Sequence, residues 1–168
     1  MQPTPPQNVI AIPLLAIEPL RDAAQRQKID TQLRDLQHCQ IAIFISQNAA
    51  EQVLQALAER NLNWPMHIQA FAIGSATTAF LAEHNIAAIS PLQMNSEGLL
   101  ALPALHNVGE QSINGQRCII FRGLGGRETL AQTLRDRGAL VDYCELDRRE
   151  LPAEAAQQWA KWIASLQN

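Results

Sequence analysis

What the chain lacks narrows it first. Its three cysteines, Cys39, Cys118 and Cys144, are odd in number and never stand at CxxC spacing, so neither a disulfide framework nor a zinc site is indicated. No basic block is present and the net charge is −3, which gives no footprint for a nucleic acid. Long apolar runs are also missing, and Met1 to Gln7 is proline-rich and uncharged, so it is read as neither a signal peptide nor a membrane span. The four histidines, His38, His67, His84 and His106, have no ligand-like spacing, and no metal site is expected. These absences suit a cytoplasmic protein with no nucleic-acid or membrane partner.

What is present is an α/β pattern. The 168 residues are 47% apolar, enough for one ordinary domain with a real core. Asn114 to Pro152 reads as a complete strand, loop, helix and strand. Cys118 to Phe121 is the apolar centre of a strand buried on both faces, and Gly123, Gly125 and Gly126 break it. Arg127-Glu128-Thr129 opens a helix with Leu130 and Leu134 on one face, Gly138 stops it in a left-handed position, and Ala139 to Leu146 returns as a strand.

Earlier units follow the same plan. Asn8 to Leu20 carries Pro13 and Pro19 and is expected as an edge strand or extended crossover. Arg21 to Gln37 is a surface helix with Ile29, Leu33 and Leu36 as a thin stripe. Gln40 to Ile45 is a strand, and Asn48 with Glu51 resembles a capping box opening a helix that carries Val53, Leu54 and Leu57. His67 to Ile73 is the next strand, and the helix after Gly74-Ser75 is expected to turn Phe80 inward. Ile86 to Ser90 is another strand, and Ser96 is the expected cap of a helix from Glu97 to about His106 that Pro103 should bend or shorten. Such alternation predicts a five-stranded parallel sheet with helices on both faces.

Function in these folds gathers at the C-terminal ends of the strands. Here those ends carry Ser46 and Asn48; Gly74, Ser75 and Thr77; Ser90 with Asn95, Ser96, Glu97 and Gly98; and Arg122 with Gly123 to Arg127. No nucleophile with an adjacent base, carboxylate pair or metal cluster is among them. The acidic strand ends of a phosphoacceptor receiver, GxxxxGK[ST] and GxGxxG are likewise not matched there. Each Ser, Asn or Gly taken alone is a helix cap. As a row of helix N-termini with two arginines, they suit anionic oxygen atoms.

The order and spacing of PLLAIEPL (Pro13 to Leu20), FISQNA (Phe44 to Ala49), AIGSATTAFLAEHNI (Ala72 to Ile86), NSEGLLALPAL (Asn95 to Leu105) and the run from Arg117 to Pro152 resemble the uroporphyrinogen-III synthase family. The resemblance implies two flavodoxin-like α/β domains joined by a two-stranded linker, with a tetrapyrrole in the cleft between them. On that pattern, residues 1–7 are a disordered head, residues 8–39 a linker strand and surface helix, and residues 40–145 the flavodoxin-like domain. Residues 146–168 are then the returning linker strand and a C-terminal helix, and the chain reads as shortened at both ends with the second domain largely missing. The implied reaction cyclises hydroxymethylbilane to uroporphyrinogen III with loss of water and inversion of the last pyrrole ring, and it needs no cofactor. Carried over by motif, the substrate-binding candidates are Ser46, Asn48, Gly74, Ser75, Thr77, Ser96, Glu97, Gly98, Arg122, Gly123, Gly125, Gly126 and Arg127.

One departure bears on catalysis. Asp147 occupies the position where many members have a tyrosine, proposed there to assist departure of the substrate hydroxyl, and Tyr143 lies four residues earlier. The catalytic residue is therefore left unassigned. The C-terminal helix carries Trp159, Trp162, Ile163 and Leu166 as a stripe that either packs on the domain or serves self-association. The alternative to an enzyme is a non-catalytic domain that binds anions or tetrapyrroles.

Overall fold

A computed structural model of the chain describes residues 23–109, 112–123 and 128–146. The expected linker strands, the C-terminal helix stripe, Gly125, Gly126, Arg127 and Asp147 lie outside those residues. The chain divides into two units, Ile29–Asp147 and Met1–Lys28 with Arg148–Asn168. Of the second unit only residues 23–28 are described.

Five strands form one sheet: β1 (Ile41–Phe44), β2 (Gln69–Ala72), β3 (Ala88–Ile89), β4 (Arg117–Arg122) and β5 (Leu140–Glu145). Every pairing is parallel and the spatial order is β3-β2-β1-β4-β5. Counted from β4 instead of β1, that order becomes 2-1-3-4-5, the flavodoxin arrangement with the chain circularly permuted. The strand order reverses between β1 and β4, so the crevice of such a sheet opens beyond Phe44 and Arg122.

The helices are α1 over residues 23–34, α2 (Gln47–Glu59), α3 (Ser75–Glu83), α4 (Ser96–Leu100) and α5 (Thr129–Asp136). Strand residues alternate between two cores, as a period of two requires. Ala42, Phe44, Ala70, Ala72, Ile119 and Phe121 meet Leu33, Val53, Leu57 and Leu81 on one face. Ile41, Ile43, Phe71, Cys118 and Ile120 meet Leu99, Leu130 and Leu134 on the other. Connections of one hand produce this division, since β1 to β3 run outward one way and β4 to β5 the other.

The helix expected from Glu97 to about His106 is shortened as Pro103 requires: it stops at Leu100, and Pro103–Leu105 forms a separate 3-10 turn, because Pro103 cannot donate within a continuing helix. In α3, Thr77 and Leu81 are buried, four residues apart, and Phe80 is half-buried, packed against the same core as expected and also against His84 with ring centroids 4.4 Å apart. The stripe Ile29, Leu33 and Leu36 is the face that this surface helix and the turn after it bury in a core. Trp64 is a further core aromatic, its ring 5.5 Å from that of Phe44, which stacks on Phe121 at 5.0 Å.

Helices α2, α3 and α5 all end in the same way. After each C-cap comes a residue with positive φ, Asn61 (54°), Asn85 (64°) and Gly138 (95°). The amides of Leu62, Ile86 and Ala139 then donate back to the carbonyls of Leu57, Leu81 and Leu134, which is the Schellman closure with its apolar contact. Gly138 is the most constrained of the three, since a Cβ there would run into the Asn114 side chain.

Candidate site at the C-terminal edge of the sheet

Parallel pairing brings the ends of all five strands to one edge, and the starts of α2, α3, α4 and α5 follow them. The four starts are not equivalent. At α2 the cap is Ser46, whose Oγ accepts from the Ala49 amide at 3.1 Å. Asn48 lies one turn position inside the helix, and Glu51 accepts instead from Gln47 Nε2, so the expected Asn48–Glu51 capping box is not formed. At α4 the cap is Asn95, not Ser96: its Oδ1 accepts from the Gly98 amide at 2.8 Å. Gly98 is a close-approach glycine, because a Cβ would collide with the backbone carbonyl of Gln93.

By contrast, α3 and α5 begin without a side-chain cap. Gly74 precedes α3 at φ 105°, a conformation that leaves its carbonyl to accept from the Thr78 amide and hydroxyl. The first-turn amides of Ser75, Ala76 and Thr77 are thus the intrinsic donors of a helix start. Ser75 is exposed and Thr77 is buried. Glu97 is exposed and Ser96 half-buried at the short α4. Among the described residues the starts of α3 and α5 have no side-chain cap, whereas at α2 and α4 one first-turn amide is taken by the cap residue.

The charge at this edge is concentrated on Arg122. In the β4–β5 register Arg122 is the partner of Glu145 and Ile120 that of Tyr143, so Arg122, Tyr143 and Glu145 share one face of the sheet. The guanidinium carbon lies 3.4 Å from the centre of the Tyr143 ring. One terminal nitrogen donates to Glu128 Oε1 at 3.0 Å and lies 3.6 Å from Glu145 Oε2. The Arg122 side chain is 10% exposed, Glu145 23% and Glu128 65%. Arg122 is consequently not a solvated helix-start residue but a buried cation held by two carboxylates of unequal mobility. Burial pushes the Tyr143 phenol above its ordinary range, against the pull of Arg122. Gly123 is half-buried just beyond.

Sequence reasoning missed this cluster because it depends on strand register. Glu145 and Arg122 are 23 residues apart, and only the in-line pairing of two strand ends brings them together. The asparagine cap could have been found, since Asn95 stands three residues before the amide of Gly98 and asparagine is a strong N-cap. Among the described residues no group of three or more His, Cys, Asp or Glu converges on a metal position. No described helix is long and apolar enough to cross a membrane.

Residues 7–166 match the model of the family described as "Uroporphyrinogen-III synthase HemD". The chain belongs to the uroporphyrinogen-III synthase family. It is 38% identical over 127 residues to the uroporphyrinogen-III synthase of Salmonella typhimurium, covering 71% of this chain and 49% of that protein. The enzyme of Escherichia coli is 32% identical over 157 residues, 90% of this chain and 60% of that one. The Proteus mirabilis enzyme is 33% identical over 138 residues, 80% and 66% of the two chains. The chain thus spans about half to two thirds of the length of the curated synthases it matches. The fold is also similar to crystal structures of uroporphyrinogen III synthase from Thermus thermophilus. One superposes with a TM-score of 0.61 over 72% of this chain and 46% of that one, and another with 0.60 over 80% and 51%, each at 17% identity. At that identity the likeness speaks for the α/β fold, including its parallel five-stranded sheet.

Proposed function

We propose that this chain supplies one wall of a uroporphyrinogen-III synthase cleft, in which hydroxymethylbilane loses water and closes with its last pyrrole ring inverted. The observation that carries this reading is the family match across residues 7–166, which includes the whole sheet and every helix start described above. The substrate is a flexible polycarboxylate. A protein that directs its closure has to hold the carboxylates and bring the substituted ring carbon to the departing hydroxymethyl group, a gain from orientation that needs no cofactor.

The open start of α3 at Gly74, Ser75 and Thr77 supports the carboxylate-holding part of this reading, because unpaired first-turn amides and the helix dipole favour an anion. Ser46, Asn48, Ser96, Glu97 and Gly98 then shape the edge beside it, and Arg122 with Gly123, Gly125, Gly126 and Arg127 forms its charged end. In this reading Asp147, within the returning linker strand at the position where many members have a tyrosine, would serve as proton donor to the leaving hydroxyl only with a raised pKa. The same reading takes residues 8–39 and 146–168 as linker segments around the domain 40–145. It places the protein in the cytoplasm and takes the stripe Trp159, Trp162, Ile163 and Leu166 as a face for self-association.

The test is the isomer ratio of the oxidised porphyrin formed when hydroxymethylbilane is generated in the presence of the chain. Isomer III in excess over a protein-free control is the expected result. Isomer I alone, with tetrapyrrole binding retained, would make the chain a non-catalytic binding domain.

A further inference from the structure

We propose that Glu128 is an internal stand-in for a substrate carboxylate on Arg122, and that binding of a polycarboxylate exchanges the two. The inference rests on the proposed cleft reading and deepens it by naming a residue that sets affinity without being a ligand. Its basis is the asymmetry of the two carboxylates around one guanidinium. Glu145 is fixed to Arg122 by strand register and is mostly buried. Glu128 reaches the same nitrogen from the start of α5, caps nothing with its side chain, and is 65% exposed.

The exchange has a low cost. Glu128 is the exposed partner of this half-buried pair, and Glu145 stays on Arg122, so Glu128 can return to water without leaving the guanidinium stranded. Arg122 does not move: the Tyr143 ring and Glu145 hold its plane whether the outer position is filled or empty. A carboxylate entering that position meets the charged fork of Arg122, a charge-assisted contact, at the point where Glu128 now reaches it from the start of α5. The net charge around Arg122 is the same before and after exchange when Glu128 swings away. With two carboxylates on one guanidinium the cluster is already over-compensated at rest, and it selects for a carboxylate strong enough to displace one already tethered.

The test uses the full chain with uroporphyrin, an octacarboxylate porphyrin, followed by the change in its emission on titration. The variants are Glu128→Gln, Glu128→Ser and Glu145→Gln. Serine is included because it is a good N-cap, so a loss of helix order in the glutamine variant would be distinguished from a loss of charge. The expected result is binding roughly threefold to tenfold tighter in both Glu128 variants at low salt, the scale of one exposed ion pair, with the gain shrinking as salt rises. Glu145→Gln should bind more weakly, since it loosens Arg122. Equal or weaker binding in both Glu128 variants, or no binding by any form, would overturn the proposal. The same preparations assayed for isomer III separate it from the functional reading. Isomer III from the unaltered chain with no gain in the Glu128 variants would remove the stand-in alone, whereas a gain in binding with isomer I only would keep the stand-in and remove the synthase activity.

Discussion

The two edges of this sheet are built on opposite plans. At the edge where the strands begin, α2, α3 and α5 finish with one repeated device, a positive-φ residue and the same pair of backward hydrogen bonds. At the edge where the strands end, the helix starts are of several kinds: Ser46 and Asn95 each cap one, Gly74 leaves α3 uncapped, and Glu128 begins the fourth while its side chain reaches to Arg122. Uniformity is what a purely structural role produces, because every helix stop has the same carbonyls to satisfy. On the proposed reading, variation at the other edge comes from solving the same backbone problem around a ligand.

The comparison can be broken most forcefully at Gly138. Replacing it with valine forces a β-branched side chain into φ 95° and against Asn114, and should cost about 3 kcal/mol or more of unfolding free energy in a denaturant titration. A cost below about 1 kcal/mol would mean that this stop is not what ends α5. On the opposite edge, Gly98→Ala should cost about 2 kcal/mol, because the Gln93 carbonyl belongs to the backbone and cannot rotate away. Ser46→Ala should cost about 1 kcal/mol through the lost cap at α2, while Ser75→Ala, exposed at an uncapped start, should leave the melting midpoint unchanged. Equal losses at Ser46 and Ser75 would erase the distinction between filled and open starts.

The smallest expected effect is spectroscopic. Tyr143 is the chain's single tyrosine, so ultraviolet titration of tyrosinate reports on it alone. Burial raises its folded pKa above the ordinary 10.0, although Arg122 opposes the rise. The unfolded chain therefore releases this proton first as pH increases, and the contribution to stability, complete below about pH 10, is lost as pH climbs through the folded pKa. The native midpoint should exceed the midpoint in guanidinium. Coincident midpoints would place the ring in water rather than under Arg122.

Much of the fold was legible because it rests on short-range signals. Cys118 to Phe121 announced a two-sided strand, and Gly138 announced its left-handed stop, each from a few adjacent residues. The candidate edge was legible as a place, since strand ends and helix starts can be read in order. Its chemistry was less so. Arg122 could be noticed in sequence, yet its neutralisation by Glu128 and Glu145 depends on a register that no local pattern encodes. Cap choice failed at Asn48 and Ser96 by one or two residues, where neighbouring Ser46 and Asn95 offered equally suitable oxygens.

The central claim is that the varied edge, and not the uniform one, holds a polycarboxylate. Backbone amide shifts of the isotopically labelled chain, followed while uroporphyrin is added, test it directly. The account predicts shifts concentrated at Ser75 to Thr77 and at Arg122, Gly123 and Glu128, with Asn61, Asn85 and Gly138 unmoved. Shifts centred on those three helix stops, or none at saturating porphyrin, would contradict it.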